Sequence, residues 1–193
     1  MSSIFETLPT IRLFTVDEYY QMSNLGILSP EEKTELIDGE IIAMVAQNPP
    51  HVSCTQLGYD YLTNVLKDIA FVRIQAPIWL SNRSLPELDL AIVRLPKAQY
   101  YERHPRPEDI YWLIKVSDAT LKYDLNTKAK LYARANIKEY WVIDAVERHI
   151  YVHQNPHKGV YQDKNRLLES DIWRNLTFSD ISIDLARFFP PNS

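Results

Sequence analysis

Lys115 lies inside Ile110-Tyr111-Trp112-Leu113-Ile114-Lys115-Val116-Ser117, an otherwise near-continuous apolar run that reads as a strand buried on both faces of a sheet. An ammonium there needs a carboxylate opposite, because an unpaired lysine in a low-dielectric interior forfeits hydration or gives up its proton. Asp89 heads the apolar run Asp89-Leu90-Ala91-Ile92-Val93 and is the expected partner. Glu35, ahead of an apolar hairpin, and Lys128, on a helix after the lysine's strand, complete a set of four. Carboxylates presented from neighbouring strands hold hard cations such as Mg²⁺. A lysine beside them orients or helps deprotonate a metal-bound water that attacks a phosphodiester in line. Singly, each of these residues has a bland reading as a solvated or structural charge.

The elements that must position them follow from local patterns. Thr15-Val16-Asp17-Glu18 has capping-box spacing and predicts a short helix through Met22, ended by Gly26. Asp38-Gly39 between apolar stretches predicts a hairpin over residues 35–44. Apolar residues at Cys54, Leu57, Tyr61, Leu62 and Val65 predict a helix over 51–67 with His51 at its start. Strands are expected at 71–80, 88–95, 110–116, 139–143 and 149–153, with helices at 124–135 and around Ile181, Leu185 and Phe188. Asp124 suits the helix N-cap, and the loop at His104-Pro105-Arg106-Pro107 is expected to be exposed. Alternating β and α elements imply an α/β domain with a mixed sheet.

The 193 residues suffice for one domain with a sizeable core, and a single domain over 1–193 is expected. A net charge of −4 provides no electrostatic footprint for tight nonspecific nucleic-acid binding, although proteins that hold cations with carboxylates can be acidic and still act on phosphates. The single Cys54 excludes an intrachain disulfide and reads as core filler in a reducing compartment. No apolar leader and no run of about twenty apolar residues is present, so a cytoplasmic protein without membrane association is expected. Gly26, Gly39, Gly58 and Gly159 are isolated, which removes support for a glycine-rich phosphate cradle. His149, Tyr151 and His153 share a strand face but have no cysteine or defined ligand spacing to suggest zinc. Trp79, Trp112, Trp141 and Trp173 fall on or beside strands and read as packing residues.

Taken in order, Glu35-Leu36-Ile37-Asp38-Gly39-Glu40-Ile41-Ile42, Pro50-His51, Pro86-Glu87-Leu88-Asp89, Ile114-Lys115-Val116-Ser117-Asp118, Asp124-Leu125-Asn126-Thr127-Lys128, Tyr132-Ala133 and Glu139-Tyr140-Trp141 resemble the successive motifs of the Uma family. This is a family of restriction-endonuclease-like proteins in the PD-(D/E)XK superfamily. The resemblance covers about residues 14–161, leaving 162–193 as a C-terminal extension. It implies a restriction-endonuclease-like fold: a central mixed sheet flanked by helices, with an N-terminal hairpin. It further implies a DNA endonuclease using Mg²⁺ or Mn²⁺, often as a homodimer. By matching position, Glu35 is the acid of the first motif, His51 the histidine, Asp89 the metal-binding aspartate and Lys128 the helix lysine, with Asp89 and Glu35 the implied metal ligands.

Two positions depart from that pattern. Leu88-Asp89 replaces Pro-Asp, which keeps the carboxylate. Lys115 replaces the glutamate of an Ile-Glu-Val strand, which puts a cation where a principal metal ligand belongs. Lys115 is then expected to repel Mg²⁺ and to neutralise Asp89 and Glu35 as an internal counterion, with hydrolysis reduced or lost. Two alternatives stand beside this. Asp118, Asp124 or Glu87 supplies the missing ligand, or Lys115 takes over the water-orienting role while Lys128 becomes structural.

Overall fold

The structure, a computed structural model, describes residues 10–191. The first nine residues, on which the expected lack of a leader partly rests, and the last two lie outside the described residues.

A helix α1 (Val16–Asn24) opens with the capping box of Thr15 and Glu18, two residues longer than its apolar pattern suggests. The hairpin β1 (Thr34–Ile37) and β2 (Glu40–Ala43) turns through Asp38 and Gly39, both at positive φ. A β-carbon on Gly39 would meet Leu13 at 2.7 Å, so the turn needs glycine for space as well as for φ. Helix α2 (Pro49–Leu66) follows, with proline in its first turn where no amide donor is required.

The central sheet has the order β3-β4-β5-β6-β7-β8, with β3 (Phe71–Pro77), β4 (Glu87–Val93), β5 (Ile110–Ser117), β6 (Glu139–Asp144), β7 (His149–His157) and β8 (Val160–Leu168). Every neighbouring pair is antiparallel except β5 and β6, which are parallel. A parallel pair requires a crossover. Here that crossover is helical: a first turn α3 (Leu121–Tyr123), a π-helical turn (Asp124–Lys128) and α4 (Ala129–Arg134).

Strand alternation assigns the two faces. Trp112, Ile114 and Val116 of β5 join Cys54, Leu62 and Leu66 of α2 in one buried layer, while Leu113 joins Ala129, Tyr132 and Ala133 of α4 in the other. Lys115 therefore points toward the crossover helix. The C-terminal pair β9 (Ile172–Arg174) and β10 (Ser182–Asp184), with a 3₁₀ turn (Leu185–Phe188), covers α2 and closes the first layer.

Several expectations need correction. The helix expected around Ile181, Leu185 and Phe188 is a short strand followed by one 3₁₀ turn. The crossover helix begins at Leu121, so Asp124 is not its N-cap but a buried residue inside the π turn. The loop at residues 104–107 is only partly exposed: Pro105 is buried, and His104 Nε2 lies 2.9 Å from Tyr20 Oη. Trp112 and Trp141 are fully buried and Cys54 is core, as packing residues should be.

Candidate active site

Asp89 and Lys115 sit on adjacent antiparallel strands just beyond the last paired residues, Leu90 and Ile114. Where that ladder stops, the Asp89 carboxylate takes over. Its Oδ2 accepts from the Val116 amide at 2.7 Å and lies 2.9 Å from Lys115 Nζ. Its Oδ1 lies 2.8 Å from His51 Nε2, at the N-terminal end of α2. Burial would raise the Asp89 carboxyl, but the Lys115 charge and the His51 hydrogen bond outweigh it and hold the pKa down at about 2. An ionised carboxylate only accepts, so His51 donates through Nε2–H.

Glu35 forms the second pair. Lys128 Nζ lies 2.8 Å from its Oε1 and 3.0 Å from its Oε2, and the Glu87 amide donates to Oε2 at 3.2 Å. The hairpin places Glu35, and the π turn places Lys128. An extra residue in the helical turn rotates the side chains after Asp124 relative to an uninterrupted α-helix, bringing Asp124 and Lys128 both into buried positions. Lys115 makes its direct contact with Asp89, and its charge reaches Glu35 only through space, Lys128 being the lysine in contact with Glu35. Each carboxylate has its own lysine.

Asp124 is the third buried acid. Its Oδ2 accepts from Thr120 Oγ1 at 2.6 Å, and no salt bridge reaches it among the described residues. Burial raises its carboxyl, against the lowering effects of Thr120 and the two lysines. Glu87 is half-buried and also raised, burial again being the main cause. Asp118 lies at the rim, where Asn48 donates to it at 2.8 Å. Asp124 and Asp118 gave signals as sequence motifs; the Thr120 hydroxyl that holds Asp124 gave none.

These groups open on a cavity of about 240 Å³, walled on one side by residues 42–47 and on the other by Glu35, Lys115, Asp124 and Lys128. Glu35 and Asp124 line it with Lys115 and Lys128, and Asp89 lies buried behind Lys115, so three buried carboxylates meet two buried ammonium groups at this place. The arrangement does not fit a resident divalent cation. Both oxygens of Asp89 and both of Glu35 already have protein partners, and among the described residues no three His, Cys, Asp or Glu side chains are grouped to hold a metal ion.

The mixed six-stranded sheet with its helical crossover is that of a restriction-endonuclease-like fold. The chain belongs to the Uma2 family, described as putative restriction endonucleases, whose model matches residues 16–186. A crystal structure of a putative nuclease belonging to DUF820 from Anabaena variabilis superposes with a TM-score of 0.65 at 16% identity, covering 91% of this chain and 97% of that one. No curated protein matches the sequence. No helix among the described residues is long and apolar enough to cross a membrane.

Proposed function

We propose that the chain is a nuclease-fold protein that binds nucleic acid while its own Lys115 takes the place of a divalent cation, leaving phosphodiester hydrolysis weak or absent. The observation that carries this reading is the 2.9 Å contact between Lys115 Nζ and Asp89 Oδ2. A glutamate at position 115 would leave Glu35, Asp89, Asp124 and residue 115 facing Lys128 alone, a cluster that calls for an added cation. With lysine, the charge is nearly balanced by the chain itself. With every oxygen of Asp89 and Glu35 already on a protein partner, binding rather than hydrolysis is the role this reading assigns. Residues from α1 to the last 3₁₀ turn act as one domain in this proposal, since Ile183, Leu185 and Phe188 complete the same core as α2.

A second reading, a Mg²⁺- or Mn²⁺-dependent DNA endonuclease, is favoured by Asp124, a buried carboxylate on the same cavity with no cation bound directly to it. Mobility shift and cleavage assays on plasmid and single-stranded DNA, with each metal, separate the two. Our reading predicts retarded DNA that stays intact. Metal-dependent cutting that vanishes in both Asp89→Ala and Asp124→Asn would overturn it in favour of the endonuclease.

A further inference from the structure

The cavity beside Lys115 is lined by more acids than lysines, so attraction for a phosphate backbone must come from elsewhere. On the same face of the sheet, one strand outward, a second cavity of about 450 Å³ lies between β3, the segment after it and the loop at 100–106. Arg73, Arg103 and Arg106 line it, with Trp79 and Tyr100 as aromatic walls. Of the three guanidinium groups, Arg103 is spent on Asp109, 3.1 Å from Oδ1. Arg73 is half-buried, and no carboxylate among the described residues pairs with it; its neighbour is the Tyr100 ring, 5.7 Å from centroid to guanidinium carbon. Desolvation lowers its pKa from the ordinary arginine value, the mark of a cation held partly out of water. Such a group normally has an anion to face. Arg106 adds an exposed cation at the rim, and Glu102 is the one acid lining the cavity.

We propose that this pocket is a nucleotide subsite, taking one phosphodiester on Arg73 and Arg106 with its base against the half-buried Trp79, while Tyr100, stacked on Phe71, backs the guanidinium groups of Arg73 and Arg103. The proposal rests on the nucleic-acid reading above and deepens it. Guanidinium forks match phosphate oxygens, and aromatic faces accept any base by stacking. The volume suits a single nucleotide unit. Tyr20 of α1 and His104, 2.9 Å apart, form another part of its wall, and burial together with the Arg73 charge lowers the His104 pKa. Location links the two cavities. Arg73 is opposite Ala91, two residues along β4 from Asp89, so the two α-carbons lie roughly 8 Å apart by strand geometry and a single extended strand reaches both.

Two probes test this: a fluorescein-labelled single-stranded DNA followed by anisotropy, and a thymidine dinucleotide followed by the Trp79 indole N–H resonance, assigned with Trp79→Phe. Arg73→Met and Arg106→Ala are each expected to weaken both probes by about tenfold. Each is also expected to reduce the slope of log affinity against log salt for DNA by about 0.7. Arg106 is exposed, so its variant keeps the test decisive should Arg73→Met fail to fold. DNA binding that both folded variants retain unchanged would overturn the subsite and leave the nucleic-acid reading intact. A dinucleotide that moves Trp79, and does so less in the variants, while DNA fails to bind would support the subsite and overturn that reading. Failure of both probes on the unsubstituted protein would overturn both.

Discussion

Lys115 Nζ and Asp89 Oδ2 meet at 2.9 Å across β4 and β5, immediately past the end of their hydrogen-bonded ladder. Both side chains are almost wholly inaccessible to water, with side-chain exposures of 9% and 2%. Buried pairs of this kind are stable only with their remaining valences filled, and here His51 and the Val116 amide fill them on the Asp89 side. The pair is thus a fixed part of the fold at the position where the family resemblance leads one to expect a metal-binding glutamate.

Removing one partner should be far worse than removing both. Lys115→Met strands a buried carboxylate, and we expect a loss of about 3–5 kcal/mol in unfolding free energy. The double variant Lys115→Met/Asp89→Leu should recover most of it, since an apolar pair avoids the desolvation of two charges. Urea unfolding of the three chains measures this. With Asp89→Leu added to close the cycle, a double-variant loss equal to the sum of the two single losses would show that the pair carries no coupling.

Acid sensitivity should come in two steps. His153 is buried between Tyr140 and Tyr161, its Nδ1 has no partner, and its pKa is lowered to about 4, chiefly by burial. The unfolded chain binds this proton near the ordinary value of about 6.5 and the folded chain does not. Stability should therefore fall as pH drops from about 6.5 to about 4, by roughly 3 kcal/mol at most. His153→Phe should flatten that segment of a melting-temperature profile.

The second step belongs to Asp89. Its carboxyl is depressed to about 2 in the fold, against about 3.9 unfolded. The stabilisation it brings is complete above the unfolded value and is lost as pH falls from about 4 toward 2, amounting to about 2–3 kcal/mol. Asp89→Asn should begin less stable and lack this step when melting is followed over the same range. Retention of the step would assign it to another carboxylate.

Gly58 marks a close contact in the core. A β-carbon there would meet the Phe188 ring at 2.8 Å and Leu90 at 3.2 Å. Gly58→Ala improves helix propensity by up to about 1 kcal/mol but overpacks the layer between α2, β4 and the C-terminal turn. We expect net destabilisation of about 1–2 kcal/mol in thermal unfolding, with Phe188→Leu restoring part of it.

The parts of the fold that carry a strong local signal were legible before any coordinates. The Thr15–Glu18 box, the Asp38-Gly39 turn and the apolar run of β5 each encode their geometry within a few residues. The anomaly of Lys115 in that run was enough to demand a carboxylate opposite, and Asp89 faces it. Strand β8 escaped because it is an edge strand, paired only with β7, and exposes most of its side chains, so no alternation betrays it. The start of the crossover helix escaped because Leu121-Lys122-Tyr123 has no side-chain cap and the π turn shifts the period that a reader would follow. The separate pairing of Glu35 with Lys128 depends on that shifted turn meeting the hairpin, a long-range relationship that no window of sequence contains. The Arg73 pocket likewise joins β3 to a distant loop.

Calorimetric titration of Mg²⁺ into the unsubstituted protein and into Lys115→Glu tests the central claim most directly. We predict no binding heat for the unsubstituted chain. For Lys115→Glu we predict one bound cation, with a melting temperature that rises as Mg²⁺ is added and needs the metal even to reach a normal value. Stoichiometric Mg²⁺ binding by the unsubstituted chain, abolished by Asp89→Ala, would show that Lys115 does not stand in for the ion.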